Sequence, residues 1–153
     1  MADGIDARLQ ELGLELPEVF PPVGNYLGCK RVGNLIFVGG HGPVSKNGTI
    51  VGKVGGAVDL ARGREAATAT TLSMLATLRA ELGSLDRVRQ VVKVFGMVNC
   101  APGFNRTPAV IDGCSDVLVA IFGDAGRHTR SAVGMAELPF DIAVEIEMIV
   151  EVD

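Results

Sequence analysis

The chain has 153 residues, of which 48% are hydrophobic, and a formal net charge of −4. This length predicts a single domain that buries roughly 70% of the surface of its unfolded chain. No apolar run approaches the ~20 residues of a membrane-spanning helix, and the acidic balance disfavours general nucleic-acid binding. The hydrophobic excess predicts a second buried surface, such as a subunit interface, although a core rich in alanine, valine and leucine would also account for it.

The first part of the chain predicts a short helix, an extended connector and a hairpin. Asp6 to Leu12 has the apolar spacing of an amphipathic helix, and Gly13 ends it. Residues 16–25 include three prolines, which exclude a helix or a central strand. Two strands follow, Tyr26–Val32 and Leu35–Gly39, separated by a Gly-Asn turn.

The rest of the chain alternates long helices with strands. Leu60 to Leu82 and Thr107 to Phe122 have the leucine, valine and alanine spacing of helices packed on a sheet. Val88 to Val98 is rich in β-branched residues and predicts a central strand. Thr129–Asp153 predicts two further strands with a Leu-Pro break between them. The order predicts an α+β fold in which both helices cover one face of the sheet and self-association covers the other.

Cysteine and histidine usage bears on compartment and metal chemistry. Cys29, Cys100 and Cys114 are odd in number and far apart, as expected for reduced, partly buried thiols. The N-terminal stretch also lacks the apolar region of a secretory signal, so we expect a cytoplasmic protein. His41 and His128 do not form ligand spacing with the cysteines, so no metal site is predicted. No phosphate-binding loop, dinucleotide fingerprint or nucleophile elbow is present either.

Two charged residues in the last pair of predicted strands suggest a functional site. Arg130 opens the first strand, and Glu145 projects from the second between Val144 and Ile146. Each could be an ordinary surface charge. However, a guanidinium binds a carboxylate through two hydrogen bonds, and a glutamate can pass a proton to and from water. An arginine and a carboxylate on adjacent strands therefore favour a site that binds a small carboxylate and controls one water molecule.

Five short motifs carry a resemblance to a known family. They are RSAV at 130–133, Leu-Pro at 138–139, VEIE at 144–147, VGNY at 23–26 and VGGH at 38–41. The first three resemble the C-terminal signature of the RidA/YjgF family of enamine and imine deaminases, at the family's spacing. The last two are similar to that family's Gly-Pro-Tyr and Ser-Gly-Gln segments. The resemblance covers residues 23–153 as one domain and leaves residues 1–22 as an additional helix and connector.

The resemblance implies an architecture and an activity. It implies a chorismate-mutase-like sheet with two helices on one face, and a homotrimer whose sheets form a barrel with clefts between subunits. Members of the active branch hydrolyse 2-aminoacrylate and related imines to 2-keto acids and ammonia without a cofactor. Arg130 would bind the substrate carboxylate and Glu145 would hold or activate water. Tyr26 would line the cleft from the neighbouring subunit, while Gly40 and Ala132 would contact the substrate.

The sequence also departs from the family pattern. Gly39 replaces a serine, His41 replaces a glutamine, and Asn25 replaces a proline. Asp112 aligns with a substrate-binding position where relatives tend to have asparagine, and a negative charge there would weaken carboxylate binding by Arg130. Four hypotheses remain open: an imine deaminase, a non-catalytic trimer that binds small carboxylates, a different hydrolase such as one of a catabolic pathway, and an RNA-cleaving protein, which the acidic charge disfavours.

Overall fold

A computed structural model describes residues 3–153, which form three α-helices and seven strands. In chain order these elements are α1 (Ile5–Glu11), β1 (Cys29–Val32), β2 (Leu35–His41), β3 (Val44–Ser45), β4 (Gly48–Thr49), α2 (Leu60–Leu82), β5 (Val88–Asn99), α3 (Thr107–Phe122), β6 (Thr129–Met135) and β7 (Val144–Val152). Short 3-10 turns lie at Leu85–Arg87, Gly123–Gly126 and Pro139–Asp141. The predicted α+β class is confirmed.

The main sheet has the strand order β1-β2-β7-β5-β6, and the β3–β4 hairpin stands apart from it. Only β5 and β6 run parallel, and α3 connects them. A parallel connection needs such a crossover. Here it places β6 at the sheet edge, and the Leu138–Ile142 segment returns the chain to the other side of β5. The prediction that Arg130 and Glu145 lie on adjacent strands is therefore wrong, because β5 separates β6 from β7.

The two long helices begin and end where the sequence predicted. The side chain of Asp59 caps α2 by accepting a hydrogen bond from the Arg62 amide at 2.8 Å. Gly83 ends α2 in a left-handed conformation with φ of 81°, which glycine adopts without steric cost. The helices touch closely at Gly113, where a Cβ would lie 2.3 Å from the Arg64 carbonyl oxygen.

One face of the sheet packs against α2 and α3 to form the core. The residues of β7 alternate as predicted: Val144, Ile146, Met148 and Val150 are at most 2% exposed. We call the opposite side, which none of the helices within residues 3–153 covers, the open face. It carries Glu145 and Glu147 of β7, Phe37 of β2 and Phe95 of β5. In the strand register, Phe37 pairs with Ile149 and Phe95 pairs with Glu147. Phe37 is 44% exposed, so the open face retains apolar surface.

Four boundaries near the N-terminus differ from the prediction. The first strand begins at Cys29 rather than Tyr26, and the second continues to His41 rather than ending at Gly39. Helix α1 spans Ile5–Glu11 rather than Asp6–Leu12, and it joins the domain core through buried Leu9. None of the helices within residues 3–153 has the length and apolar character needed to cross a membrane.

Candidate functional site

Arg130 lies on the helix-covered side of edge strand β6, level with buried Val94. Its Nη1 donates hydrogen bonds to Asp112 Oδ1 at 2.8 Å and to Ser115 Oγ at 3.1 Å, both on α3. The Arg130 side chain is 23% exposed. The structure thus places Asp112 beside Arg130, and any carboxylate ligand of Arg130 would compete with it.

His128 extends this network, which we call the arginine cluster (Arg130, Asp112, Ser115 and His128). Its Nδ1 lies 2.7 Å from the Gly126 carbonyl oxygen, and its Nε2 lies 3.0 Å from Ser115 Oγ. A carbonyl oxygen only accepts, so the ring proton is on Nδ1 and the Ser115 hydroxyl donates to Nε2. Serine then accepts from Arg130, which gives every member of the cluster a partner.

A second arginine borders the arginine cluster. Arg64 of α2 pairs with Asp116 at 3.0 Å and lies 3.9 Å from Asp112. Asp112 therefore sits between two guanidinium groups, and it would keep a cationic neighbour if Arg130 were removed. This arrangement makes Asp116 a useful comparison, because it belongs to the same network of charges without touching Arg130.

Glu145 lies on the open face and has different surroundings. Burial raises the pKa of its carboxyl group, and the nearby charge of Glu147 raises it further. Within residues 3–153, no hydrogen-bond donor or cation is paired with its carboxylate. Gly40 of β2 is its close neighbour: a Cβ there would lie 3.0 Å from Glu145 Cδ. A half-buried, unpaired carboxylate with a raised pKa suits acid–base chemistry.

Apolar side chains adjoin Glu145 on this face. Met97, its register partner on β5, forms a small cluster with Leu138 and Ile142, to which Phe95 and Met135 are packed. A groove of about 360 Å³ continues along the face towards β1. Its lining includes Gly39, Phe37, Phe95 and Glu147. A small substrate at Glu145 would therefore meet apolar walls, whereas the groove beyond it also carries the charges of Lys30, Lys93 and Glu147.

A β-bulge brings Gly40 to Glu145. Val38 pairs with Met148 while His41 pairs with Ile146, so three steps on β2 match two on β7. The extra residue turns the His41 ring away from Glu145 and towards α2, where His41 Nε2 lies 2.8 Å from Thr77 Oγ1. Sequence reasoning treated His41 only as a departure and missed Thr77. The available signal was the Gly-Gly pair inside a strand, which often marks a bulge.

Arg130 and Glu145 cannot meet within one chain. Both Val133 of β6 and Glu145 of β7 are level with Met97, and Arg130 lies three residues from Val133. With strand spacings of about 4.8 Å and a rise of about 3.3 Å per residue, their backbones are roughly 14 Å apart. Their side chains also project from opposite faces of the sheet.

The other predicted site residues divide between these two regions. Ala132 lies on the same side of β6 as Arg130, and its carbonyl oxygen accepts a hydrogen bond from Thr107 Oγ1 at 3.0 Å. Tyr26 is 57% exposed at the end of the connector, with its ring over Gly24. No hydrogen bond links Tyr26 to either region in the part of the chain that the structure describes. The structure therefore groups Arg130, Asp112 and Ala132, and separately Gly40 and Glu145.

Comparison with known proteins identifies the family. Residues 6–152, a range that includes all of α1 except Ile5, match the family model described as "YjgF/chorismate_mutase-like, putative endoribonuclease". The chain is 38% identical to Protein TCP17 of Trypanosoma cruzi over 151 residues, covering 97% of this chain and 94% of that protein. The chain thus belongs to the YjgF/chorismate mutase-like family, as its motifs predicted.

Two solved structures resemble this one closely. The protein Atu1372 of Agrobacterium tumefaciens, of unknown function, is 40% identical with a TM-score of 0.91, covering 97% of this chain and 92% of its own. A protein of Shewanella oneidensis described as a "putative endoribonuclease" is 30% identical with a TM-score of 0.94, covering 98% and 100%. The fold is therefore shared by a protein of unknown function and by a putative endoribonuclease.

Proposed function

We propose that this protein hydrolyses reactive enamine and imine intermediates of the 2-aminoacrylate type to 2-keto acids and ammonia. Glu145 carries this proposal. Its carboxylate is half-buried, unpaired within residues 3–153, and has a raised pKa beside the exposed backbone of Gly40. A group in this state can take a proton from water and return it within one catalytic cycle.

The chemistry needs no redox step and balances with one water. Glu145 accepts a proton from water as the water oxygen bonds to the carbon of the protonated imine, which gives a neutral carbinolamine. The same carboxyl then donates that proton to nitrogen. As the carbon–nitrogen bond breaks and ammonia leaves, the carbinolamine hydroxyl returns its proton to the Glu145 carboxylate and becomes the keto oxygen, and Glu145 releases this proton to solvent. The apolar neighbours Met97 and Ile142 would limit access by other water molecules.

Arg130 is the proposed anchor for the substrate carboxylate, and this role requires more than one chain. Within one chain Arg130 and Glu145 face opposite sides of the sheet. A small substrate could contact both only where Arg130 of one copy approaches Glu145 of another. The apolar open face supports such self-association, and a homotrimer with clefts between subunits is the assembly that we propose.

An assay of imine hydrolysis tests this function. An amino-acid oxidase would generate imines in situ, and release of ammonia and keto acid would be followed with wild type, Glu145→Gln and Arg130→Ala. Glu147→Gln is the matched control, since it neutralises a carboxylate on the same strand and face without touching Gly40. We expect acceleration by wild type and by the control, and loss of it in Glu145→Gln.

Calorimetry with pyruvate distinguishes the alternative function, a non-catalytic module that binds carboxylates, from imine hydrolysis. If wild type does not accelerate hydrolysis but binds the keto acid in an Arg130-dependent way, the protein is a non-catalytic carboxylate-binding module. If Arg130→Ala alters neither activity nor binding, the anchor assignment is wrong. Nuclease-free protein that cleaves RNA at defined sequences, and loses this in Glu145→Gln, would overturn the deaminase proposal in favour of RNA cleavage.

A further inference from the structure

In the bulge at Gly39–Gly40, the main-chain N–H and C=O groups of Gly39 both form hydrogen bonds. Its amide donates to the Gly28 carbonyl oxygen at 2.9 Å. Its carbonyl oxygen lies 2.7 Å from His41 Nδ1. Because a bulge interrupts the regular ladder, contacts outside the ladder must fix its conformation. The His41 ring supplies one of those contacts.

Thr77 fixes the other side of that ring. Because His41 Nδ1 faces a carbonyl oxygen, it carries the proton, and Nε2 accepts from the Thr77 hydroxyl at 2.8 Å. Burial lowers the pKa of His41, which favours this neutral form. Thr77 also packs on Gly28, where a Cβ would lie 3.1 Å from Thr77 Cγ2. The hydrogen bonds of His41 to Gly39 and to Thr77 thus join the bulge to helix α2.

Gly40 faces the opposite direction, towards the proposed catalytic carboxylate. A Cβ at Gly40 would lie 3.0 Å from Glu145 Cδ and 3.1 Å from Oε1, so the Gly40 backbone forms a wall of the Glu145 site. We infer that His41, held by Thr77, is a positioning residue that keeps this wall against Glu145 and so sets the orientation and hydration of its carboxylate. The inference rests on the proposed function, because it gives His41 a role at the same reacting group.

The other charged groups around Glu145 do not account for the position of its carboxylate. Glu147, two residues along β7, raises the pKa of Glu145 less than burial does. Lys93 is level with Ile149, further along the open face. Asp141 accepts a hydrogen bond from Asn99 at 2.9 Å. The His41 ring lies on the far side of the sheet, so it acts on Glu145 through the bulge rather than by direct contact.

Two substitutions at Thr77 test this inference. Thr77→Val replaces the hydroxyl with a methyl group and keeps the packing on Gly28, whereas Thr77→Ser keeps the hydroxyl and loses the methyl group that packs there. We expect Thr77→Val to lower kcat about tenfold with little change in KM, because the reacting groups lose alignment while carboxylate binding at Arg130 is retained. Thr77→Ser should restore kcat. A merely structural role for Thr77 would lower the amount of folded enzyme without this separation of kcat from KM.

A second readout does not depend on activity. Carbon-13 NMR titration of the Glu145 carboxyl should show its pKa falling towards the ordinary glutamate value in Thr77→Val, because a relaxed bulge admits water, and returning in Thr77→Ser. An unchanged Glu145 titration in folded Thr77→Val overturns the inference, whether or not wild type hydrolyses imines. Conversely, a shifted titration in a protein without hydrolase activity supports the positioning of Glu145 and refutes only the proposed reaction.

Discussion

Arg130 and Glu145 are held in opposite ways, although both depend on a histidine. Each histidine donates from Nδ1 to the carbonyl oxygen two residues before it, and each accepts at Nε2 from a hydroxyl on a long helix. His128 thereby completes a network in which Nη1 of Arg130 is paired with Asp112 and Ser115. His41 instead fixes a glycine bulge and leaves Glu145 with an apolar wall and no partner within residues 3–153.

This difference determines which group is available for chemistry. Within residues 3–153, the hydrogen bonds that orient Arg130 use only its Nη1, so the other guanidinium N–H groups remain for a ligand, which meets the opposing charge of Asp112. At Glu145, by contrast, burial has already removed part of the hydration of the carboxylate without providing a compensating partner. The open face is therefore the region where proton transfer is expected, and the arginine cluster is the region where binding is expected to be weak but adjustable.

The largest expected effect lies on the open face. Glu145→Gln keeps the size of the side chain but cannot accept a proton, so kcat should fall about 10²- to 10⁴-fold. The affinity for pyruvate, measured by calorimetry, should stay close to that of wild type. A Glu145→Gln enzyme that retains full kcat, beside an equally active Glu147→Gln control, would show that proton transfer occurs elsewhere.

Removal of the arginine should have a different kinetic signature. Arg130→Ala loses a charge-assisted contact to the substrate in both ground and transition states, so kcat/KM should fall about 10²-fold. Arg130→Lys should recover little, because an ammonium group lacks the planar fork. Arg64 remains near Asp112 in both variants, which limits the damage to folding. Full recovery by lysine would mean that only the charge of Arg130 matters.

Substitution of Asp112, the partner of Arg130, should strengthen carboxylate binding rather than weaken it. Asp112→Asn keeps the size of the side chain but releases Arg130 from a competing carboxylate. A partly exposed ion pair contributes up to about 1 kcal/mol, so pyruvate should bind roughly two- to fivefold more tightly. Asp116→Asn is the matched control, since Asp116 pairs with Arg64 and not with Arg130. Equal affinities of the two variants would place the carboxylate site away from the arginine cluster.

The sequence predicted the helices better than it predicted the site. Apolar periodicity and the glycines that follow the helices located both ends of α2 and α3, because these are local signals. Strand order is not local. The return of the chain from edge strand β6 across β5 to β7 left no mark in the alternation of residues, so Arg130 and Glu145 were wrongly placed on neighbouring strands.

The histidine contacts were also beyond reach of the sequence. His41 meets Thr77, and His128 meets Ser115, across separations in the chain that only packing of the helices on the sheet brings together. The glycine pair before His41 signalled a bulge, but it did not show which way the following side chain turns. That direction depends on where along β2 the extra residue lies in the register with β7.

The smallest expected effect is on stability, and it follows from the direction of the Glu145 pKa shift. Because burial raises its folded-state pKa above the ordinary value for glutamate, the folded protein binds this proton more tightly than the unfolded chain does. The resulting stabilisation is fully present below pH ~4.5 and is lost as the pH rises through the folded-state pKa. Ionised Glu145 therefore costs stability at neutral pH, and Glu145→Gln, which stays neutral, removes that cost.

We therefore expect Glu145→Gln to have a slightly higher Tm than wild type at pH 7, and the gain to disappear towards pH 4. Thermal unfolding at both pH values would measure it, at one protein concentration because association also changes Tm. Glu18→Gln, an exposed change in the connector, controls for the loss of one negative charge. A gain that is equal at the two pH values would reflect packing of the amide. No gain at either would mean that water or a second chain solvates the Glu145 carboxylate in solution.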